Sequence, residues 1–307
     1  IIPTPGAVME CTKLLYEYLG DLIVLDVGGA TTDLHSVTVE SDQVARLMIS
    51  PEPKAKRTVE GDLGVYVNRW KVVESIGEEK LREQCREQGF SMEHALETYR
   101  AIPKTEEEVK LVELLTREAV VKAAERHAGR LRYIYGPSGR STVAEGKDLT
   151  QVKYIVGTGG ALTRLPHREE IMREITRCNE SGMLLLPGEH AQILVDHDYI
   201  MASLGVLSKR YPQAAARLLE QSLGITFPER KAEEPVPVCN KELSRLETQR
   251  QQREEELQRH IEECEAMGYD MSAYRENKPK AGDCSHECSR CTRLHCPNRT
   301  TQEGASS

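Results

Sequence analysis

The chain has 307 residues, too many for one typical core of about 150, so two folded units or one plus an extension are expected and a small disulfide knot is excluded. Its 41 Lys+Arg stand against 49 Asp+Glu for a net charge of −8, which gives no basic footprint for a phosphate backbone and argues against nucleic acid as the main partner. Apolar runs such as Leu22 to Leu25 fall far short of the roughly 20 residues that cross a bilayer, and the mean hydropathy of −0.51 agrees with a soluble chain and no membrane partner.

The sequence opens on Ile1, with no basic start followed by an apolar segment, so no secretory signal is read and further protein is expected upstream. Thr4 and Pro5 supply an N-cap and the favoured first-turn proline, Val8, Leu15 and Leu19 share a face, and Gly20 stops the helix near Leu19. Leu22 to Val27, Gly28-Gly29, and the β-branched run from Leu34 to Val39 then read as strand, tight turn, strand. Past the prolines of Pro51 to Pro53, Val59 to Gly64 reads as loop, and charged helical pieces follow to Leu96.

Thr105 and Glu108 form a capping box, after which Val109, Val112, Leu115, Ala119 and Ala123 recur at helical spacing until Gly129. Two paired strands, Leu131 to Tyr135 and Ser141 to Ala144, flank Gly136-Pro137-Ser138-Gly139. A strand over Val152 to Val156 enters Gly157, Gly159 and Gly160, with a helix from about Ala161. A helix over His167 to Cys178, a strand over Gln192 to Val195 and a last core helix from about Asp198 to Lys209 complete the pattern. The alternation predicts an α/β fold, a mixed sheet flanked by helices.

Composition changes beyond Pro228, and three regions are expected: a folded domain over 1–228, a charged helical extension over 229–283, and a Cys-rich tail over 284–307. The extension holds 10 Lys+Arg and 14 Asp+Glu, and arginines at Arg250 and Arg253 interrupt its leucine seam, so a solvated helix fits better than a coiled coil. Of nine cysteines, five are scattered and four fall in the tail, which suits ligand clustering in a cytoplasmic protein better than a disulfide framework. Cys284, Cys288, Cys291 and Cys296 bring together enough thiolates to enclose Zn²⁺ or hold an iron–sulfur cluster.

The most informative chemistry lies in the first hairpin. Asp26-Val27-Gly28-Gly29-Ala30-Thr31-Thr32-Asp33 ends an apolar strand, so the N–H groups of the glycine turn point outward together and attract an anion. Glycine lets phosphate oxygens approach the backbone and a Thr31 or Thr32 hydroxyl adds a donor. A carboxylate beside phosphate calls for a cation, and Asp26 is placed to hold hydrated Mg²⁺ or to orient an attacking water. Glycines Gly157, Gly159 and Gly160 again sit between strand and helix, where backbone packs against a flat base or sugar. Leu162 stands where a dinucleotide fingerprint needs its third glycine, and there is no P-loop, zinc-peptidase helix or hydrolase elbow.

At these two sites the chain resembles the actin, sugar kinase and heat-shock chaperone ATPase superfamily: Asp26 to Asp33 is similar to its second phosphate motif and Val156 to Leu162 to its adenosine motif. More closely, Pro3 to about Leu219 resembles the MutL-type reactivating factors of adenosylcobalamin-dependent glutamate mutase, in Pro3-Thr4-Pro5, Asp26 to His35, Arg57 to Gly64, Glu125 to Gly129, Gly146 to Thr150, and Gly157 to Gly160. The resemblance implies an actin-like ATPase domain with Mg²⁺ near Asp26, ATP phosphates near Gly28, Gly29 and Thr31, and the nucleoside near Gly157, Gly159 and Gly160. The family's first phosphate hairpin has no counterpart here, so the resemblance implies a C-terminal portion that hydrolyses ATP slowly once the preceding domain is present. The implied function is ATP-dependent release of damaged cobalamin from a partner mutase. A small-molecule kinase of the same superfamily and a non-hydrolysing nucleotide-binding scaffold are the alternatives.

Overall fold

A computed structural model describes residues 3–136, 139–179, 181–228 and the helical positions 258, 259, 261, 262 and 266. The chain divides into two compact units, Ile1–Arg230 and Lys231–Ser307. The proposed cysteine ligands Cys284, Cys288, Cys291 and Cys296, and the leucine seam of the extension, lie outside the described residues. No described helix is long and apolar enough to cross a membrane.

The first unit is built on a five-stranded sheet in the order β3-β2-β1-β6-β7. Strands β1 (Leu22–Val27), β2 (Thr32–Val37) and β3 (Ala55–Glu60) run antiparallel in sequence, whereas β6 (Tyr154–Thr158) and β7 (Gln192–Val195) add parallel to β1. Strand β1 is apolar at almost every position because both its faces are covered. Leu22 and Val24 pack with helices α1 (Thr4–Leu19), α9 (Met201–Ser208) and α10 (Pro212–Leu223). Ile23, Leu25 and Val27 face the larger core formed with α6 (Glu106–His127) and α8 (Arg168–Arg173). The result is a helix–sheet–helix sandwich whose parallel strands end at one edge.

Between β2 and α6 lie four short helices: α2 (Asp42–Ala45), α3 (Arg69–Ile76), α4 (Glu78–Glu87) and α5 (Met92–Thr98). Helix α6 starts on the expected capping box, with Glu108 N donating to Thr105 Oγ1 and Thr105 N donating to the Glu108 carboxylate, both at 3.2 Å. Three glutamates in its first turn and Arg126 in its last complement the helix dipole. Strands β4 (Arg130–Gly136) and β5 (Gly139–Glu145) pair only with each other, and helix α7 (Gly159–Arg164) follows β6 directly.

Three readings need correction. Val59 and Glu60, taken as loop, end strand β3; its charged residues are tolerated because it is the sheet's edge and one side faces solvent. Helix α10 is a further element beyond those expected; it follows α9 after a three-residue turn and buries Ala215, Ala216, Leu219 and Leu223 along one face, between Pro212 in its first turn and Gly224 at its end. The first helix also begins at Thr4 with Pro3 at the cap position and no capping side chain, one residue earlier than read.

Candidate functional site

Parallel pairing of β1 with β6 brings the two glycine turns together. Asp26 lies opposite Thr158 in the β1–β6 register and opposite Asp33 in the β1–β2 register. Register partners share a sheet face, so Asp33, Asp26 and Thr158 form a row along the strand ends. Asp196, directly after β7, continues it by accepting the Thr158 hydroxyl at 2.8 Å. Gly159 then turns the chain at φ +85°, and a Cβ there would stand 2.5 Å from Asp26 Oδ1 and from the Val27 carbonyl oxygen. Only glycine satisfies both the left-handed backbone and that close approach.

The first turn is held from one side. Carbonyls of Gly28 and Gly29 accept Val65 N at 3.2 Å, Tyr66 N at 2.9 Å and Val67 N at 2.7 Å, while Asn68 Nδ2 donates to the Ala30 carbonyl at 2.7 Å. Gly64 presses onto Ala30, where a Cβ would fall 2.2 Å from the carbonyl oxygen. With its carbonyls occupied, the turn keeps the N–H groups of Gly29, Ala30 and Thr31 unused among the described residues. Clustered free N–H groups are the donor set an anion requires. Gly28 and Gly29 do not adopt positive φ; they are small because Cβ atoms would sit 3.3 Å from the Thr31 carbonyl oxygen and 3.2 Å from Tyr66 Cβ.

The remaining sequence-predicted residues divide between the two faces. Thr31 stays at the open end of the row, its hydroxyl near enough to Asp33 to favour that carboxyl's charged form. Thr32 does not: it is fully buried and its hydroxyl donates to the Leu63 carbonyl at 2.8 Å. Gly157 points away too, since a Cβ there would stand 2.6 Å from Met172 Sδ on α8. Gly160 is exposed, and a Cβ there would meet nothing within 4 Å.

Electrostatics single out Asp26. Burial, then repulsion from Asp33 and Asp196, pushes its carboxyl up to about 6, and its side chain accepts no hydrogen bond from the described residues. Asp33 is raised by burial, and its buried Oδ1 has no partner. Asp196 is instead saturated. Ser222 Oγ donates to it at 2.6 Å, Thr158 Oγ1 at 2.8 Å, Met201 N at 3.0 Å and Ile200 N at 3.2 Å, so it anchors the start of α9. No three His, Cys, Asp or Glu side chains among the described residues come close enough to enclose a metal ion. Any cation at Asp26 would therefore keep most of its waters, as Mg²⁺ does.

Sequence reasoning missed Asp196 and Tyr199. Asp196 gave a usable signal, an aspartate between a strand and a helix start. Tyr199 gave none; it is the one described non-glycine residue with positive φ, 55°, and its ring is 53% exposed. Burial, then the charges of Asp26 and Asp196, raise its phenol.

The family phrases beyond the turns prove to be fasteners. Arg126, at the end of α6, donates to Glu60 at 2.6 Å and to both Asp62 oxygens at 2.8 Å, which holds the Asp62 carboxyl below its usual range. His127 is buried between Ser36 Oγ at 2.8 Å and Thr58 Oγ1 at 2.9 Å, and burial pushes its pKa down to about 3. His127 is thus a neutral bridge between α6, β2 and β3 and not a cation at the negative end of the helix.

With this geometry in place, the comparisons are informative. A family model described as "MutL protein" matches residues 1–223. A relative, "Protein MutL" of Clostridium tetanomorphum, is 35% identical over 235 residues, which cover 73% of this chain and 51% of that protein. The chain spans about half the length of the curated relative it matches.

Proposed function

Because the chain belongs to the MutL family, we propose that it acts as an accessory factor of an adenosylcobalamin-dependent glutamate mutase or related aminomutase, binding Mg²⁺ and ATP along the row of strand ends. The observation that carries this reading is the approach of Gly159 to Asp26 and Val27. It makes one continuous rim from two turns about 130 residues apart in sequence. A mixed sheet flanked by helices is also what an actin-like ATPase domain requires.

In this reading Mg²⁺ and ATP supply the electrophilic γ-phosphoryl group. The N–H groups of Gly29, Ala30 and Thr31 orient phosphate oxygens, and the uncovered backbone at Gly160, beside the buried Gly159, receives the nucleoside. Asp26, charged once a cation offsets Asp33 and Asp196, orients the attacking water. Hydrolysis is slow, because the task is a switch: ATP and ADP shift a conformational equilibrium only by their difference in affinity for its two states. That shift drives domain motion that frees damaged cobalamin from the mutase.

The test is recovery of an inactivated mutase by the complete protein with ATP, Mg²⁺ and fresh adenosylcobalamin. Activity should return only with ATP, and Asp26→Ala should abolish the return. No ATP-dependent recovery of glutamate mutase or related aminomutases would refute the proposal.

A further inference from the structure

Strands β4 and β5 leave the body as a two-stranded arm. Its base is tied down: Leu131 N donates to the Met183 carbonyl and Ala144 N to that of Leu47, both at 2.7 Å, and Leu131 and Ala144 pack with Val44 and Leu185. Beyond that, from the Arg132–Val143 pair to the Gly136–Gly139 pair, neither outer edge has a backbone partner among the described residues. Strands of this length reach about 20 Å. A ribbon so little supported is marginal by itself, so its exposure calls for an explanation.

The side chains are not those of a protected edge, which would carry lysine, proline or a bulge. Tyr133, Ile134 and Tyr135 run consecutively at 48%, 50% and 79% exposure. Tyr133 pairs with Thr142 and Tyr135 with Arg140, so these four share a face, and the Arg140 guanidinium lies 4.4 Å from the Tyr133 ring centroid. Tyrosine and arginine are the residues that dominate binding energy at protein interfaces.

Charge selects the partner. On the face of Tyr133 and Tyr135 the one charged residue is Arg140, whereas Arg130, Arg132 and Glu145 lie on the opposite face, and the chain as a whole carries a net charge of −8. Glu145 is taken by Arg132 at 2.7 Å, and Arg140 faces no carboxylate among the described residues. The same face of a second copy offers Arg140 no carboxylate, since it carries Leu131, Tyr133, Tyr135, Arg140, Thr142 and Ala144. An acidic face of a different protein fits instead.

We propose that the Tyr133, Tyr135 and Arg140 face of this arm is the docking surface for an acidic patch on the partner mutase; only the identity of the partner rests on the function proposed above. The test is binding of the complete protein to purified mutase subunits at low and high salt, with Tyr135→Ala, Arg140→Glu and Arg140→Lys variants. The changed side chains are solvent-facing, so thermal midpoints should match the parent. Tyr135→Ala and Arg140→Glu should each weaken binding at least tenfold, Arg140→Lys should retain most of it, and added salt should weaken the parent complex.

Unchanged binding by Arg140→Glu would overturn the arm as the docking surface while leaving the proposed function intact. Absence of binding by the parent protein would remove the mutase as partner and the docking proposal with it. A dimer of the protein alone that Arg140→Glu dissolves would assign the arm to a second copy and overturn the proposal.

Discussion

At the scale of single residues, Asp26 carries a charge its surroundings oppose. Asp33 lies directly opposite on β2, Asp196 ends the row, and burial adds to both. Folding therefore raises the pKa from an ordinary value near ~3.9 to about 6. A native group that holds its proton more tightly than the unfolded chain contributes stability that is complete below the unfolded value and is lost as pH rises through the folded one. Asp26→Asn has nearly the same shape and no charge. It should be more stable than the parent at pH 8 by about 1–3 kcal/mol, at ~1.4 kcal/mol per pKa unit, with the advantage shrinking as pH falls from 6 to 4. Urea midpoints at several pH values measure it; an advantage independent of pH would show that folding does not raise the Asp26 carboxyl.

At the scale of elements, the helical layer behind the row depends on one close contact. A Cβ at Gly205 in α9 would fall 1.7 Å from the Ala7 carbonyl oxygen of α1, which is backbone and cannot swing aside. Gly205→Ala gains about 1 kcal/mol of helix propensity and must force two helices apart, an overpacking cost of about 1–3 kcal/mol or more. The contact should win, and the urea midpoint should fall by the equivalent of about 1–2 kcal/mol with an unchanged slope. An unchanged or higher midpoint would mean the helices separate freely.

Most elements were legible because their signals are local. The Thr105 capping box, the continuous apolar run of β1 and the Gly136 to Gly139 turn each act over a few residues. Strand β3 was not, since an edge strand needs no apolar run, whereas α10 does carry local signals in Pro212, the stripe from Ala215 to Leu223 and Gly224. Within the site, Asp26, Gly159 and Gly160 could be read from motif residues. The inward turns of Thr32 and Gly157 could not, because strand alternation and the position of Met172 decide them.

At the scale of the whole molecule, family membership was recoverable from phrases spread over the matched region, including fasteners such as Arg126 and His127 that never touch the row. Such residues hold α6 to the β2–β3 edge and so keep the first turn in place relative to the second. In the function proposed above these two turns serve one nucleotide, and Gly160 is the position at which that can be tested. Added atoms there meet open space, so Gly160→Val should leave the thermal midpoint of the complete protein unchanged while filling the room beside Gly159. Calorimetric titration with Mg²⁺ and ATP should show the variant binding at least tenfold more weakly than the parent; equal affinity in the two proteins would contradict the claim.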